Sequence, residues 1–265
     1  MGYAVVQLSD LHIVEHGRLM EDEVDTAGFA QRAVQFVNAM DRRPDLVLIT
    51  GDLVNDGRAE QYDHLAEVLA PLQPPWRLMP GNHDDPELLL ARFPRHALGP
   101  SRPRRDEVLD GAVRVVCLDS SRPPHPGGDL DDDQVAWLDQ QLSADERPAI
   151  VALHHPPFAT QIDHMDAMGL APAAADALGA VVARHSHIER VICGHLHRTI
   201  IRRWNGTLVM TAPSAAHSVA FDVRVDGVAA WSEEPPALMV HVWRPETGLV
   251  THHVAIGEFP PHPFY

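Results

Sequence analysis

The chain is predicted to fold as an α/β protein built from βαβ units, and three observations carry that expectation. Short apolar runs alternate with amphipathic stretches of helical period through the first part of the chain. Five of those runs end in short clusters of aspartate, asparagine and histidine, the place where an α/β sheet presents a ligand site. From Arg198 onward the pattern changes to strand after strand, so the C-terminal part is expected to be β-rich.

Taken in order, a strand is predicted at residues 3–8, a helix at 26–41 and a strand at 46–49. Helices follow at 59–70, 85–93, 131–142 and 173–185, with strands between them at 77–79, 113–118, 150–153 and 190–193. The late strands fall at 199–204, 207–210, 237–243 and 249–254, with turn signals at Asn205-Gly206 and Thr247-Gly248. The Asn-Gly pair predicts a tight hairpin, because both residues tolerate positive φ. No repeat of fixed period is visible, and residues 94–105, 122–130, 222–236 and the tail from Glu258 read as loops or lids.

A length of 265 residues accommodates one α/β domain, which is the expectation for residues 1–265, with 222–265 as a lid or interface extension. The apolar content of 45% is dispersed, and no run reaches about 18 residues, so neither a membrane span nor a signal peptide is expected. Cys117 and Cys193 each sit in an apolar run and read as structural thiols in a reducing cytoplasm. With 21 basic against 37 acidic side chains the formal charge is −16, which repels an extended nucleic acid and better suits a small, singly charged ester. Of the 18 histidines, those in the Pro-rich C-terminal region, such as His253 and His262, are expected at the surface without a chemical role.

The chemistry concentrates in Ser9-Asp10-Leu11-His12, Thr50-Gly51-Asp52, Pro80-Gly81-Asn82-His83-Asp84, His154-His155-Pro156 and Gly194-His195-Leu196-His197. Each alone has a plain structural reading. Asp-x-His is as well a helix cap or surface pair, Gly51-Asp52 an Asx turn, and Asn82 a cap for the following helix. His154 and His155 could be one buried and one exposed imidazole. In the last motif, residues two apart on extended backbone point the same way, so His195 and His197 could approach one centre or two neighbouring ones. Five such clusters, all at strand ends, argue for a common purpose. Aspartate, amide oxygen and imidazole without thiolate suit manganese, iron, cobalt or zinc better than calcium or magnesium. If two ions sit about 3.5–4 Å apart, one carboxylate must bridge them, and Asp52 is the natural bridge.

Together Asp10-x-His12, Gly51-Asp52, Gly81-Asn82-His83-Asp84, His154 and Gly194-His195-x-His197 resemble the calcineurin-like metallophosphoesterase superfamily, over residues 5–213. The stretches Gly51-Asp52-Leu53-Val54-Asn55-Asp56-Gly57, 80–85, Leu118-Asp119-Ser120-Ser121 and 154–157 resemble its bacterial glycerophosphodiesterase and class III cyclic-nucleotide phosphodiesterase branch. The resemblance implies a four-layer αββα sandwich and two divalent transition-metal ions. It implies that Asp10, His12 and His197 hold the first ion, that Asp52 bridges, and that Asn82, His154 and His195 complete the second. His154 is selected over His155 because the ligand in this superfamily is the histidine two residues before the proline. His83 is implied as the catalytic group beside the metals, with Asn82, His83 and His217 contacting substrate.

Two departures from the superfamily pattern stand out. Phosphoprotein phosphatases carry an aspartate three positions after the bridging one, as partner of the histidine corresponding to His83; here that position is Asn55. Purple acid phosphatases carry a tyrosine just after the bridging aspartate, and Leu53, Val54 and Asn55 offer none, so no tyrosinate colour is expected. The expected reaction is hydrolysis of a small phosphodiester, a 3',5'-cyclic nucleotide or a glycerophosphodiester, by attack of a metal-bound hydroxide. A phosphomonoesterase or broad-specificity phosphatase on the same core is the alternative, a non-catalytic metal-binding scaffold a minor one. The β-rich end, with Trp231, Trp243 and Phe259, offers a homo-oligomer interface as readily as a lid or core element.

Overall fold

In the computed structural model, which describes residues 2–98, 107–260 and 262–264, the alternating pattern resolves into two facing sheets covered by helices. The elements are β1 (Tyr3–Leu8), α1 (Thr26–Asn38), β2 (Leu46–Thr50), α2 (Ala59–Leu69), β3 (Trp76–Met79) and α3 (Pro86–Arg92). There follow β4 (Glu107–Leu109), β5 (Arg114–Cys117), α4 (Asp132–Ala144), β6 (Ala149–Ala152), α5 (Asp163–Asp166), α6 (Pro172–Arg184) and β7 (Ile188–Cys193). The chain ends with β8 (Ile201–Trp204), β9 (Thr207–Thr211), β10 (Ser218–Val219), β11 (Trp231–Ser232), β12 (Ala237–Arg244) and β13 (Gly248–Ala255).

The first sheet has the order β13-β12-β1-β2-β3, the second β4-β5-β6-β7-β9-β8. β1, β2 and β3 run parallel, as do β5, β6, β7 and β9, whereas β12, β13, β4 and β8 pair antiparallel at the flanks. Helix–sheet packing follows from periodicity. In α1 the buried Ala30, Ala33, Val34 and Val37 form one stripe, which meets Val6 and Leu8 of β1, Val47 and Ile49 of β2, and Leu65 of α2. Leu138 of α4 and Leu178 and Val182 of α6 cover Val116, Val151 and Val191 on the outer face of the second sheet. Between the sheets lie Val5, Leu48, Met79, Val115, Ile150, Ile192, Met210 and Met239. Helix, sheet, sheet, helix is the four-layer αββα sandwich expected. Each side chain fully withdrawn from water in these layers contributes roughly 1.5–3 kcal/mol.

Local chemistry sets the element ends. Asp25 caps α1 by accepting from the Gly28 N–H at 2.9 Å, Asp85 caps α3 ahead of Pro86, and Asp131 forms a capping box with Gln134 before α4. Asn205 and Gly206 have φ of 45° and 92°, which closes the β8–β9 hairpin with the twist its strands need. Several expectations shift. The first helix stops at Asn38, short of residue 41, and Thr199 and Ile200 lie outside β8. His253 lies in β13, as the strand expected at 249–254 implies, and stays exposed; its Nδ1 meets Thr199 Oγ1 at 2.8 Å. Residues 231–232, within the expected loop 222–236, pair with 218–219 as a short hairpin. Residues 122–130 form no helix or strand, whereas Ala97 bridges to Leu78 and residues 99–105 lie outside the described residues.

Candidate active site

Each of the five motifs leaves the C-terminal end of a strand, and the parallel pairing of β1 with β2, and of β6 with β7, puts those ends side by side. After β1 and β2 the two loops run together: the N–H groups of Asp10, His12 and Ile13 donate to the carbonyls of Gly51, Asp52 and Leu53 at 3.0–3.1 Å. The halves of the sandwich are joined where the His195 N–H donates to both Asp10 carboxylate oxygens, at 2.9 and 3.2 Å. Five residues of the expected ligand set, Asp10, His12, Asp52, His195 and His197, have φ between 47° and 72°. Non-glycine residues pay roughly 1–3 kcal/mol each for that conformation, and such strain gathers where side chains must be aimed. His195 and His197 are therefore brought in by a left-handed turn and not by strand alternation, which corrects the geometric reason given for that motif.

Two groups of donor atoms result. Asp10 Oδ1 lies 3.5 Å from His197 Nε2, which is 3.1 Å from His12 Nε2, which in turn is 3.6 Å from Asp52 Oδ2. The same Asp52 Oδ2 lies 3.3 Å from His154 Nε2, and Asn82 Oδ1 sits 3.1 Å from His154 Nε2 and 3.0 Å from His195 Nδ1. Asp10, His12, Asp52, His154, His195 and His197 are all buried, and Asn82 is half-buried.

The donor set fits divalent cations. His154 Nδ1 donates to the Thr50 carbonyl at 2.7 Å, so its Nε2 presents a lone pair to two oxygens, Asp52 Oδ2 and Asn82 Oδ1. Three electron-rich atoms converge there, which requires a proton or a cation among them. Without metal the proton serves: burial opposes it, but the Asp52 charge raises His154 to about 9, and His154 holds Asp52 well below the usual carboxylate range despite burial. Burial pushes His12 and His197 far down and His195 to about 3, keeping these rings in the neutral form that coordinates metal. Burial, with the Asp52 charge, raises Asp10 to about 7, although His154 opposes it.

His155 packs against His154 and His195, ring centroids 4.8 Å from each, with both its nitrogens already engaged. Its Nε2 donates to the Pro126 carbonyl at 3.1 Å and its Nδ1 accepts from Ser120 Oγ at 2.8 Å, so it ties loop 122–130 to the wall of the site. His83 Nδ1 donates at 2.7 Å to the backbone carbonyl of Asn55, which supplies the orientation that a carboxylate gives in phosphoprotein phosphatases. Burial works against its charge, but Asp52 and the Asn55 carbonyl raise its pKa overall. His217 stacks edge-on with His197 at 4.5 Å, Trp231 lies 6.3 Å from it, and burial lowers its pKa to about 4. A depression of about 340 Å³ opens beside Asn82 and His83, walled by Asn55, Gly57, Pro123 and Pro124.

The residue reading missed Asp84 as a structural anchor. Its buried carboxylate accepts from Gly81 N at 2.8 Å, Leu53 N at 3.1 Å, Val54 N at 3.4 Å and Tyr62 OH at 3.1 Å, clamping the Asp52 loop to the Asn82 loop. Its presence in a ligand motif was visible, but its partners lie 22–31 residues away, except for Gly81.

A four-layer sandwich with carboxylates, an amide and imidazoles gathered at the strand ends defines the metallophosphoesterase class. The chain belongs to the calcineurin-like phosphoesterase family, whose model matches residues 3–199. It is 34% identical over 264 residues to a probable glycerophosphodiester phosphodiesterase of Arcobacter nitrofigilis, covering 98% of this chain and 96% of that one. It is also 36% identical over 237 residues to a probable cyclic nucleotide phosphodiesterase of Rhodopseudomonas palustris, covering 87% and 85%. A dimetal phosphatase from Danio rerio shares the fold with a TM-score of 0.64 at 14% identity, covering 96% of this chain and 99% of that one.

Proposed function

We propose that the chain hydrolyses small phosphodiesters, 3',5'-cyclic nucleotides or glycerophosphodiesters, at a dinuclear metal site. The observation that carries this reading is Asp52 Oδ2, which faces His12 Nε2 in one donor group and His154 Nε2 in the other. Asp10, His12 and His197 with Asp52 would hold one ion, and Asn82, His154 and His195 with Asp52 would hold the second. Manganese, iron, cobalt or zinc would supply there the Lewis acidity that activates water and neutralises the phosphoryl charge.

The protein's own groups do the rest. Thr50 orients His154, and the His83 N–H donates to Asp52 Oδ1 at 2.9 Å, holding the other oxygen toward both donor groups. His83, oriented through Nδ1 and with a raised pKa, donates a proton from Nε2 to the leaving oxygen. Asn82 and His217 hold phosphoryl oxygens. The formal charge of −16 favours a singly charged diester over a doubly charged monoester.

The relatives' descriptions as diesterases support the same choice. Trp231 beside His217 supports a lid role for residues 222–236. Exposed Phe221, Val225 and Val228 on that hairpin support a homo-oligomer interface, and two buried free thiols support a cytoplasmic location. Among the described residues no helix is long and apolar enough to cross a membrane.

The test is turnover of bis-p-nitrophenyl phosphate against p-nitrophenyl phosphate by protein stripped of metal and reloaded with manganese, with Asp52→Ala as control. Manganese-restored diesterase activity absent from the variant is expected. Preference for the monoester would replace the diesterase reading with the phosphomonoesterase one.

A further inference from the structure

Directly beneath the ligand-bearing loops, the apolar layer between the sheets is interrupted by polar side chains. Gln7 of β1, Thr50 of β2 and His241 of β12 are each fully buried. Gln7 lies on the same strand face as Val5, which packs between the sheets, because strand side chains alternate. Its amide nitrogen donates to Thr50 Oγ1 in the first sheet and to the Cys193 carbonyl in the second, both at 3.0 Å. Its oxygen accepts from His241 Nε2 at 3.1 Å, and His241 Nδ1 accepts from Thr251 Oγ1 at 2.9 Å.

This arrangement determines the amide's orientation. Flipping it would set an oxygen against the Cys193 carbonyl, which can only accept, so that carbonyl fixes the amide's orientation and with it the His241 tautomer that donates from Nε2. Every polar atom of the Gln7 amide is satisfied, which makes the cluster rigid where a partly satisfied one would be costly. Both ends of the Gln7 bridge lead into the site. Cys193 precedes Gly194-His195, whereas Thr50 precedes Gly51-Asp52 and gives its carbonyl to His154. Thr50 Oγ1 also donates to Ser9 Oγ at 2.8 Å, next to Asp10.

We propose that Gln7, held between Thr50, the Cys193 carbonyl and His241, is a positioning residue that sets how far the Asp10–Asp52 half of the site stands from the His154–His195–His197 half. The inference rests on the dinuclear reading above. Neither side chain touches a donor atom of the site. Gln7 acts through the strand ends, so its loss changes the spacing, within each donor group, between ligands from the first sheet (Asp10, His12, Asp52, Asn82) and ligands from the second (His154, His195, His197).

The test uses the full chain with Gln7→Met, with the double variant Gln7→Met/His241→Phe, which leaves no buried N–H unpaired, and with His241→Gln, which keeps a donor toward Gln7. Manganese stoichiometry and affinity are measured by titration calorimetry, the exchange-coupled dimanganese signal by electron paramagnetic resonance, and stability by thermal unfolding. The expected result is a loss of about tenfold or more in manganese affinity across both donor groups and an altered exchange signal in Gln7→Met and in the double variant. His241→Gln, with Gln7 intact, should bind manganese and give an exchange signal close to wild type. Wild-type manganese binding and an unchanged signal in the folded double variant, whatever its melting temperature, would assign Gln7 to stability alone and overturn the inference. Failure of the wild type itself to bind two manganese ions would instead overturn the dinuclear reading on which it rests.

Discussion

Replacing Asp84 by Asn changes one atom's chemistry at a buried position. The carboxylate faces donors only: Gly81 N and Leu53 N on Oδ2, Val54 N and Tyr62 OH on Oδ1. Whichever way an amide is turned, its N–H₂ meets two of those donors. The least costly choice sets it against Val54 N, the longest contact at 3.4 Å, and Tyr62 OH, leaving one buried N–H without an acceptor. That costs about 1–3 kcal/mol, or roughly 2–10 °C in melting temperature for a chain of this size. The loops carrying Asp52 and Asn82-His83 are clamped through this carboxylate, so a shift of about 1 Å in their relation should lower kcat by about 10²-fold. Differential scanning calorimetry and turnover of bis-p-nitrophenyl phosphate measure both effects. An Asp84→Asn protein that melts and turns over like wild type would refute the clamp.

Three further outcomes follow from the same geometry. A methyl group on Gly81 would lie 2.3 Å from Asp52 Oδ1 and 2.4 Å from its backbone nitrogen, so Gly81→Ala should abolish tight manganese binding, read by elemental analysis of desalted protein. His83→Ala should cost about 10²–10⁴ in rate with metal content intact, whereas Asn55→Ala, which keeps the carbonyl that orients His83, should stay within about twofold of wild type. A tenfold loss in Asn55→Ala would show that the side chain matters after all. Burial lowers His241 from 6.5 to about 3, so below pH 6.5 the unfolded chain takes up a proton that the folded one refuses. Its contribution is present above pH 6.5 and is lost on acidification. Between there and about pH 5 the wild type should lose about 2 kcal/mol relative to His241→Gln. Urea midpoints at the two pH values check this, and parallel pH dependences would count against it.

What the sequence determined by itself was the inventory and its address. Period-2 and period-3.6 patterning separates strands from helices locally, and a ligand's chemistry is carried by residue type. Asp10, Asp52, Asn82 and the histidines following the strand-like runs were therefore visible without coordinates, as was the sandwich their motifs resemble. Only the tertiary structure decided which side chains share a centre, and why. The left-handed backbone at Asp10, His12, Asp52, His195 and His197 depends on neighbouring loops holding it there, so no local propensity predicts it. His83 takes a backbone carbonyl as partner, a group every residue owns and no sequence pattern marks. Gln7 meets Cys193 and His241 across 186 and 234 residues of chain, and such contacts exist only once two sheets have chosen their facing and register. Local patterning specifies each element, but the pairing of distant elements is a collective property of the packed core.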